Sequence, residues 1–251
     1  MIFLCRDDFN GILCGVYDAF MSRLGHANVK LQLQNTVNLE MFAEYRDVEE
    51  SEEKLKKVIK AIRGKLSSEA YRWVYQASLS WEEGKADIIY RFLIYAFAWG
   101  PKVMENLKIP AVYEIFRLNR AVLGETHLLT EFVRFSEMKG KILFSKIGPK
   151  NDVTVLLAPH FADRFSGEQW IIYDEHRRKA AVHAPDKGWL ILSADKEEWE
   201  EKLTEETDGH LYQQLWKTFC TSVAITARTN YVCQRGHLPL RYRSYMTEFQ
   251  E

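Results

Sequence analysis

The alternation of apolar and polar residues predicts a small α/β arrangement at the start of the chain. "MIFLCRDD" (residues 1–8) is typical of a strand that ends in an acidic pair. From Phe9 to Leu24 apolar residues recur at helical spacing, with Asp8 as the expected N-cap. "VKLQLQ" (29–34) alternates with period two, which predicts a second strand. We expect the two strands to pair.

A block of helices is predicted for the middle of the chain, from Glu49 to Met138. Its first helix begins acidic and ends basic, as the helix dipole favours. Ser67 or Ser68 is a suitable N-cap for the next helix, and Pro110 suits the first turn of a later one. The apolar window 88–100 is too short to cross a bilayer and contains Arg91, so it predicts a buried helix.

After residues 139–140 the pattern changes to strands and shorter helices. "KILFSKI" (141–147) predicts a strand, and the spacing of Phe161 and Phe165 favours a helix over 153–165, with Asp152 as its cap. Three antiparallel strands are expected at 170–174, 179–184 and 189–193. An acidic helix (195–206), a longer amphipathic helix (209–230) and an irregular basic tail complete the prediction.

These elements predict an α+β fold. The N-terminal and central parts are expected to be largely helical, and the C-terminal half to hold a small antiparallel sheet of three to four strands packed by helices. The two parts divide at residues 138 and 139, giving segments 1–138 and 139–251, or they form one continuous domain.

Composition limits the class of protein more than its function. Apolar residues make up 47% and charged residues 27%, which is ordinary for a globular domain. The formal net charge of -1 means that any nucleic-acid role must depend on a local basic patch. The absence of a signal-peptide pattern and of a long apolar run predicts a cytoplasmic protein without a membrane partner. The four cysteines form no CxxC pair, so we expect free, buried thiols.

Residues 158–184 concentrate histidines, carboxylates and arginines, which raises the question of chemistry at this segment. His160, His176 and His183 lack the spacing of zinc ligands, so no metal site is predicted. No nucleophile elbow, P-loop or GxGxxG motif occurs. Asp163 and Asp174 could serve acid–base chemistry, although a structural pair between arginine and aspartate is favoured.

Two basic segments favour binding of a polyanion. Residues 228–243 contain four arginines and one histidine, no acidic residue, and tyrosines at 231 and 242. Arginine offers a planar fork to phosphate, and tyrosine offers a ring for stacking. Arg177, Arg178 and Lys179 form a second cluster at a predicted hairpin turn. A solvated charge run would have the same composition.

A set of sequence elements along this chain resembles the pattern of a bacterial family named for DNA metabolism or DNA repair. The resemblance extends over nearly the whole chain. Its elements here are Arg134-Phe135, His160-Phe161, Arg164-Phe165, Trp170, Asp174, Arg177, Leu215-Trp216-Lys217, Arg228, Asn230, Gln234, Pro239 and Tyr242. The resemblance implies a gene neighbour that encodes a radical-SAM DNA-repair protein. It also implies that the C-terminal segment is related to segments that occur fused to uracil-DNA glycosylase-like domains.

Three functions follow as hypotheses. The first is an accessory DNA-binding protein for a radical-SAM partner, which would itself carry the iron–sulfur cluster and S-adenosylmethionine, since no cofactor is expected in this chain. The second is a base- or strand-processing enzyme that uses His160 and Asp174 as an acid–base pair. The third is a partner that stabilises the radical-SAM protein without touching DNA. The predicted DNA-contacting residues are Arg134, Arg164, Trp170, Arg177, Arg228, Asn230, Gln234, Arg241 and Tyr242. Asp174 and Arg164 are expected to form a packed pair.

Overall fold

A computed structural model describes residues 1–36, 40–138, 140–193 and 210–249. The fold is α+β, as predicted, and it comprises two compact units, Met1–Leu123 and Gly124–Glu251. The division expected at residues 138 and 139 falls within the second unit. The acidic helix expected at 195–206 lies outside the described residues.

The first unit contains a three-stranded parallel sheet with β1 (Ile2–Cys5) at its centre. The predicted pairing with β2 (Lys30–Leu33) is confirmed, and it is parallel. On the other side lies β3 (Tyr45–Asp47), which the sequence pattern does not predict. The connecting helix α1 (Phe9–Met21) is capped by Asp8, whose side chain accepts a 2.7 Å bond from the amide of Gly11.

Four further helices supply most of the core of the first unit. They are α2 (Glu52–Lys65), α3 (Ser68–Ser78), α4 (Lys85–Trp99) and the first part of α5 (Pro110–Phe132). One of them, α4, packs against β2 of the sheet. Ser67 caps α3, and Pro110 begins α5, as expected. The apolar window of α4 is a buried helix, with Ile89, Phe92 and Leu93 fully enclosed. Helix α5 continues through Gly124.

A mixed five-stranded sheet organises the second unit. Its order is β4 (Ser136–Met138), β5 (Ile142–Ile147), β6 (Gln169–Asp174), β7 (Lys179–Ala184) and β8 (Gly188–Ser193). Strands β6 to β8 are antiparallel, as predicted. The sheet is larger than the three to four antiparallel strands expected, because β5 pairs with β6 in parallel and β4 adds a fifth strand.

Helix α6 (Thr154–Arg164) makes the parallel pairing possible, because it carries the chain from the end of β5 back to the start of β6. The helical interpretation of this segment is therefore confirmed. Asp152 does not cap the helix; its carboxylate bonds Lys179 instead. Helices α7 (His210–Val223), α8 (Tyr231–His237) and α9 (Leu240–Arg243) follow. Within the described ranges, no helix is long and apolar enough to cross a membrane.

Candidate nucleic-acid interface

The two residues proposed for acid–base chemistry are not brought together. Asp174 ends β6 and is fully buried, whereas His160 is exposed on α6. The hydroxyl of Thr154 lies 3.5 Å from Asp174, and His160 lies six residues further along the same helix. At a rise of about 1.5 Å per residue, the backbone of His160 lies about 9 Å along the helix axis from that of Thr154, the residue beside Asp174. This arrangement does not form an acid–base pair.

Asp174 instead organises the turn between β6 and β7. Its carboxylate accepts backbone bonds from His176 (3.0 Å) and Arg177 (3.2 Å), and the guanidinium of Arg177 donates a further bond at 3.1 Å. Burial raises the pKa of Asp174, while Arg177 opposes that rise. The expected pair with Arg164 is wrong, because the partner of Asp174 is Arg177 and Arg164 is exposed beside the ring of Phe165.

Arg177 is also committed to the loop before α6. It donates to the carbonyl oxygen of Pro149 at 3.2 Å and to that of Lys150. Lys179 pairs with Asp152. Of the basic cluster predicted at this turn, Arg178 is the exposed member. The cluster therefore consists mainly of structural cations rather than phosphate ligands.

A buried carboxylate in α5 engages two further residues that had been expected to contact DNA. Glu125 accepts bonds from the hydroxyl of Tyr242 (2.8 Å) and from Arg241 (3.1 Å). It also accepts from the amides of Lys150 (3.0 Å) and Asn151 (2.7 Å). Tyr242 is 1% exposed, and burial raises its pKa to about 12. Its ring is consequently unavailable for stacking on a base.

Trp170 and Arg134 have structural roles as well. Trp170 is fully buried, and its ring stacks on that of His183 with centroids 5.1 Å apart. It cannot stack on a base in this structure. Arg134 donates to Glu248 at 2.8 Å, and its guanidinium lies 5.6 Å from the centre of the Trp216 ring. The expectation of base stacking by Trp170 and Tyr242 is therefore contradicted by their burial.

Apart from Arg164 on α6, the exposed remainder of the predicted set lies in the segment after α7. Arg228 closes a 3-10 turn (Thr226–Arg228) and is exposed, as is Gln234 on α8. Asn230 caps α8 by accepting a 3.0 Å bond from the amide of Cys233. Among the described residues, neither Arg228 nor the neighbouring Arg235 has an acidic partner.

Exposed aromatic rings accompany these arginines: the sequence pattern pointed to Tyr231 as a stacking ring, but Trp216 and Phe219 were not predicted as ligands. Trp216 and Phe219 on α7 are 39% and 54% exposed, and their rings stack with centroids 5.7 Å apart. Tyr231, at the start of α8, is 67% exposed. The spacing i, i+3 of Trp216 and Phe219 places them on one helix face. This spacing is the sequence feature that could have identified them as a pair.

We define the α7–α8 surface by the side chains of Trp216, Lys217, Phe219, Arg228, Tyr231 and Arg235. Residues 210–249 contain five Lys or Arg and one acidic residue, Glu248. That acidic residue is engaged by Arg134. Exposed aromatic rings and exposed arginines are therefore both present on α7, α8 and the turn between them. Among the described residues, no group of three or more His, Cys, Asp or Glu side chains is placed to hold a metal ion.

Comparison with protein families assigns the chain to one family. A family model described as a domain of unknown function, DUF4130, matches residues 83–248, more than half of the 251-residue chain. The chain belongs to this family. No curated protein matches it. The DUF4130 region includes the α7–α8 surface, the mixed sheet and Glu125, and it begins just before α4.

The lowered pKa values of two carboxylates in the DUF4130 region predict that the folding stability of the protein falls at acid pH. Burial alone would raise the pKa of Glu248, but the bonds from Arg134 lower it below its usual value near 4.5. Burial would also raise the pKa of Glu175, but the bonds from Lys146 and Tyr245 lower it. The stabilisation from these pairs is fully present above the pKa that each carboxylate has in the unfolded chain. It is lost as the pH falls through the lower pKa of the same carboxylate in the folded protein.

We expect Glu248→Gln to flatten the acid limb of the stability profile. Urea unfolding measured at intervals from about pH 6 to about pH 3 should show a smaller loss of stability for this variant than for the wild type. Glu137, an exposed residue of β4, provides the control as Glu137→Gln. An unchanged slope for Glu248→Gln would show that its ion pair with Arg134 contributes nothing in solution.

Proposed function

We propose that the protein binds DNA through the α7–α8 surface, as an accessory to a radical-SAM partner. The observation that carries the proposal is the coexistence of the stacked Trp216–Phe219 pair with Arg228 and Arg235, which are exposed and have no acidic partner among the described residues. Buried aromatic residues would serve packing alone, whereas exposed ones beside cations provide a surface for bases and phosphates.

The chemistry of these side chains favours single-stranded DNA. Arginine binds phosphate oxygens with a planar fork, and each neutralised phosphate releases counterions. Aromatic rings stack on unpaired bases and gain about 1–3 kcal/mol per base without regard to sequence. Paired bases expose little of their faces to such rings. We therefore expect sequence-tolerant, salt-sensitive binding with a preference for unpaired strands.

The proposed partner depends on the family resemblance, which implies a neighbouring gene for a radical-SAM DNA-repair protein. In that arrangement the partner supplies the iron–sulfur chemistry, and this chain presents the strand. The burial of Asp174 and its bonds to Arg177 give no support to the alternative in which His160 and Asp174 process the base. Co-purification of both proteins at high salt tests the association independently of DNA.

Charge reversal tests the proposed surface. We expect Arg228→Glu combined with Arg235→Glu to weaken binding of a single-stranded oligonucleotide at least about tenfold in a fluorescence anisotropy titration. The slope of log K against log salt should fall by about 0.7 for each phosphate that the variant no longer neutralises, or about 1.4 for two.

The matched control reverses two exposed cations of the first unit, Lys60 and Arg72. This control changes the net charge equally but leaves the α7–α8 surface intact. Equal weakening by both double variants would reduce the effect to net charge and overturn the assignment of the surface. No salt-sensitive binding by the wild-type protein would overturn DNA binding itself.

A further inference from the structure

An open groove with a mixed lining lies beside the α7–α8 surface in the second unit. It has a volume of about 1060 Å³ and runs between the C-terminal part of α5, α7 and α8. Its apolar wall is formed by Leu128, Phe132, Leu238 and Phe249. Pockets for drug-sized ligands measure about 300–1,000 Å³, so a nucleotide would fit within this groove.

One cation in this groove has a hydrogen-bonding atom left without a partner. The Nε of Arg243 is buried and donates its proton to no acceptor among the described residues. Its guanidinium lies 4.8 Å from the centre of the Phe249 ring, and both residues line the groove. A buried, unsatisfied N–H is costly, and a shift of the side chain that let an anionic oxygen accept from the guanidinium would remove that cost.

The other polar groups of the groove suit recognition of a base edge. The carboxylate of Glu131 can accept hydrogen bonds, Gln234 can both accept and donate them, and His237 adds a ring nitrogen. The remaining carboxylate, Glu248, is neutralised by Arg134. The groove thus combines an apolar wall, a cation with an unused donor, and neutral or acceptor groups that match the amino and carbonyl edges of bases.

The position of the groove connects it to the proposed DNA-binding surface. Lys217 belongs to both, and Gln234 of the groove adjoins Arg235 of the surface on α8. We propose that the groove binds one unstacked nucleotide of the DNA held by the α7–α8 surface. The base lies against Phe132 and Leu238, and the phosphate accepts bonds from Arg243. This inference deepens the proposed function and rests on it.

A duplex with one bulged thymidine, compared with the same duplex fully paired, tests the inference. The wild-type protein should bind the bulged duplex about tenfold more tightly in anisotropy titrations, because an unpaired base can leave the stack at low cost. Ala224→Trp places a bulky ring in the groove, and Arg243→Gln removes the cation. Each should abolish the preference for the bulge, and Ala224→Trp, which removes no charge, should leave the affinity for the paired duplex unchanged.

Ser222→Trp is the matched control, since Ser222 is exposed on α7 but does not line the groove. It should retain the preference. Thermal unfolding of every variant identifies a loss of fold, and two chemically different groove variants guard against a single misfolded one. Equal affinity of the wild type for both duplexes, or a preference that survives both groove variants, would overturn the groove while leaving DNA binding in place. Failure to bind either duplex or a single strand would instead overturn the proposed function.

Discussion

Replacing Glu125 by alanine is expected to lower the free energy of unfolding of the second unit by about 2–6 kcal/mol, because two buried donors lose their acceptor at about 1–3 kcal/mol each. The carboxylate is 3% exposed and accepts hydrogen bonds from Lys150, Asn151, Arg241 and Tyr242. Truncation would leave the buried amide of Asn151, the hydroxyl of Tyr242 and the charge of Arg241 without their acceptor.

Glu125→Gln makes the same test more specific, because it conserves shape and removes charge. A glutamine must turn its amino group toward at least one of the donors around Glu125, so we expect a stability between those of the wild type and Glu125→Ala. Urea unfolding followed by tryptophan fluorescence measures both variants, with exposed Glu137→Ala as the control. A glutamine variant as stable as the wild type would show that the charge of Glu125 is not needed by its donors.

The effect of Gly15→Ala on the free energy of unfolding should be destabilising in the wild type and stabilising in a Cys5→Ala variant. In α1 a Cβ at this position would lie 2.2 Å from Sγ of Cys5, and both residues are buried, so the single substitution should cost about 1–3 kcal/mol. In a Cys5→Ala background the sulfur is absent, and the next side chain, Leu31, would be 3.5 Å away, an ordinary contact. There the alanine should stabilise the helix by up to about 1 kcal/mol.

A double-mutant cycle of Gly15→Ala and Cys5→Ala, measured by urea unfolding, isolates this coupling. Gly64→Ala in α2 is the control, because its Cβ would meet no atom within 4 Å. That variant should be stabilised by about 0.5–1 kcal/mol in either background. Additive effects at positions 5 and 15 would contradict the close approach of α1 to β1.

Local patterns in the sequence predicted the elements whose periodicity was strong. The Phe161 and Phe165 spacing identified α6 against the β propensity of the valines and threonine before it. Strands β3 and β4 were missed, because each has three residues and little burial, too few positions to show an alternation. The parallel pairing of β5 with β6 was accessible in principle, since a helix between two strands permits a parallel crossover.

The candidate site was predicted less well, because charge partners far apart in sequence decide which cations are free. Arg134 pairs with Glu248 across 114 positions, and Arg241 pairs with Glu125 across 116. No local pattern distinguishes these arginines from Arg228. Burial had a similar effect on the aromatic residues: Trp170 and Tyr242 became core, whereas Trp216 and Tyr231 remained at the surface.

The strand order of the first sheet imposes a sequence of events on folding. β1 pairs with residues 30–33 and with residues 45–47, so its two neighbours become available only after long stretches of chain are in place. The turn joining β6 and β7 brings Asp174 opposite Lys179 at once. Hairpins close in about 1–10 μs, whereas distant parallel pairings require larger loops and form more slowly. During synthesis the apolar strand around Phe3 therefore leaves the ribosome well before its partners do, and until they follow, its hydrogen-bonding edges are open to misassociation.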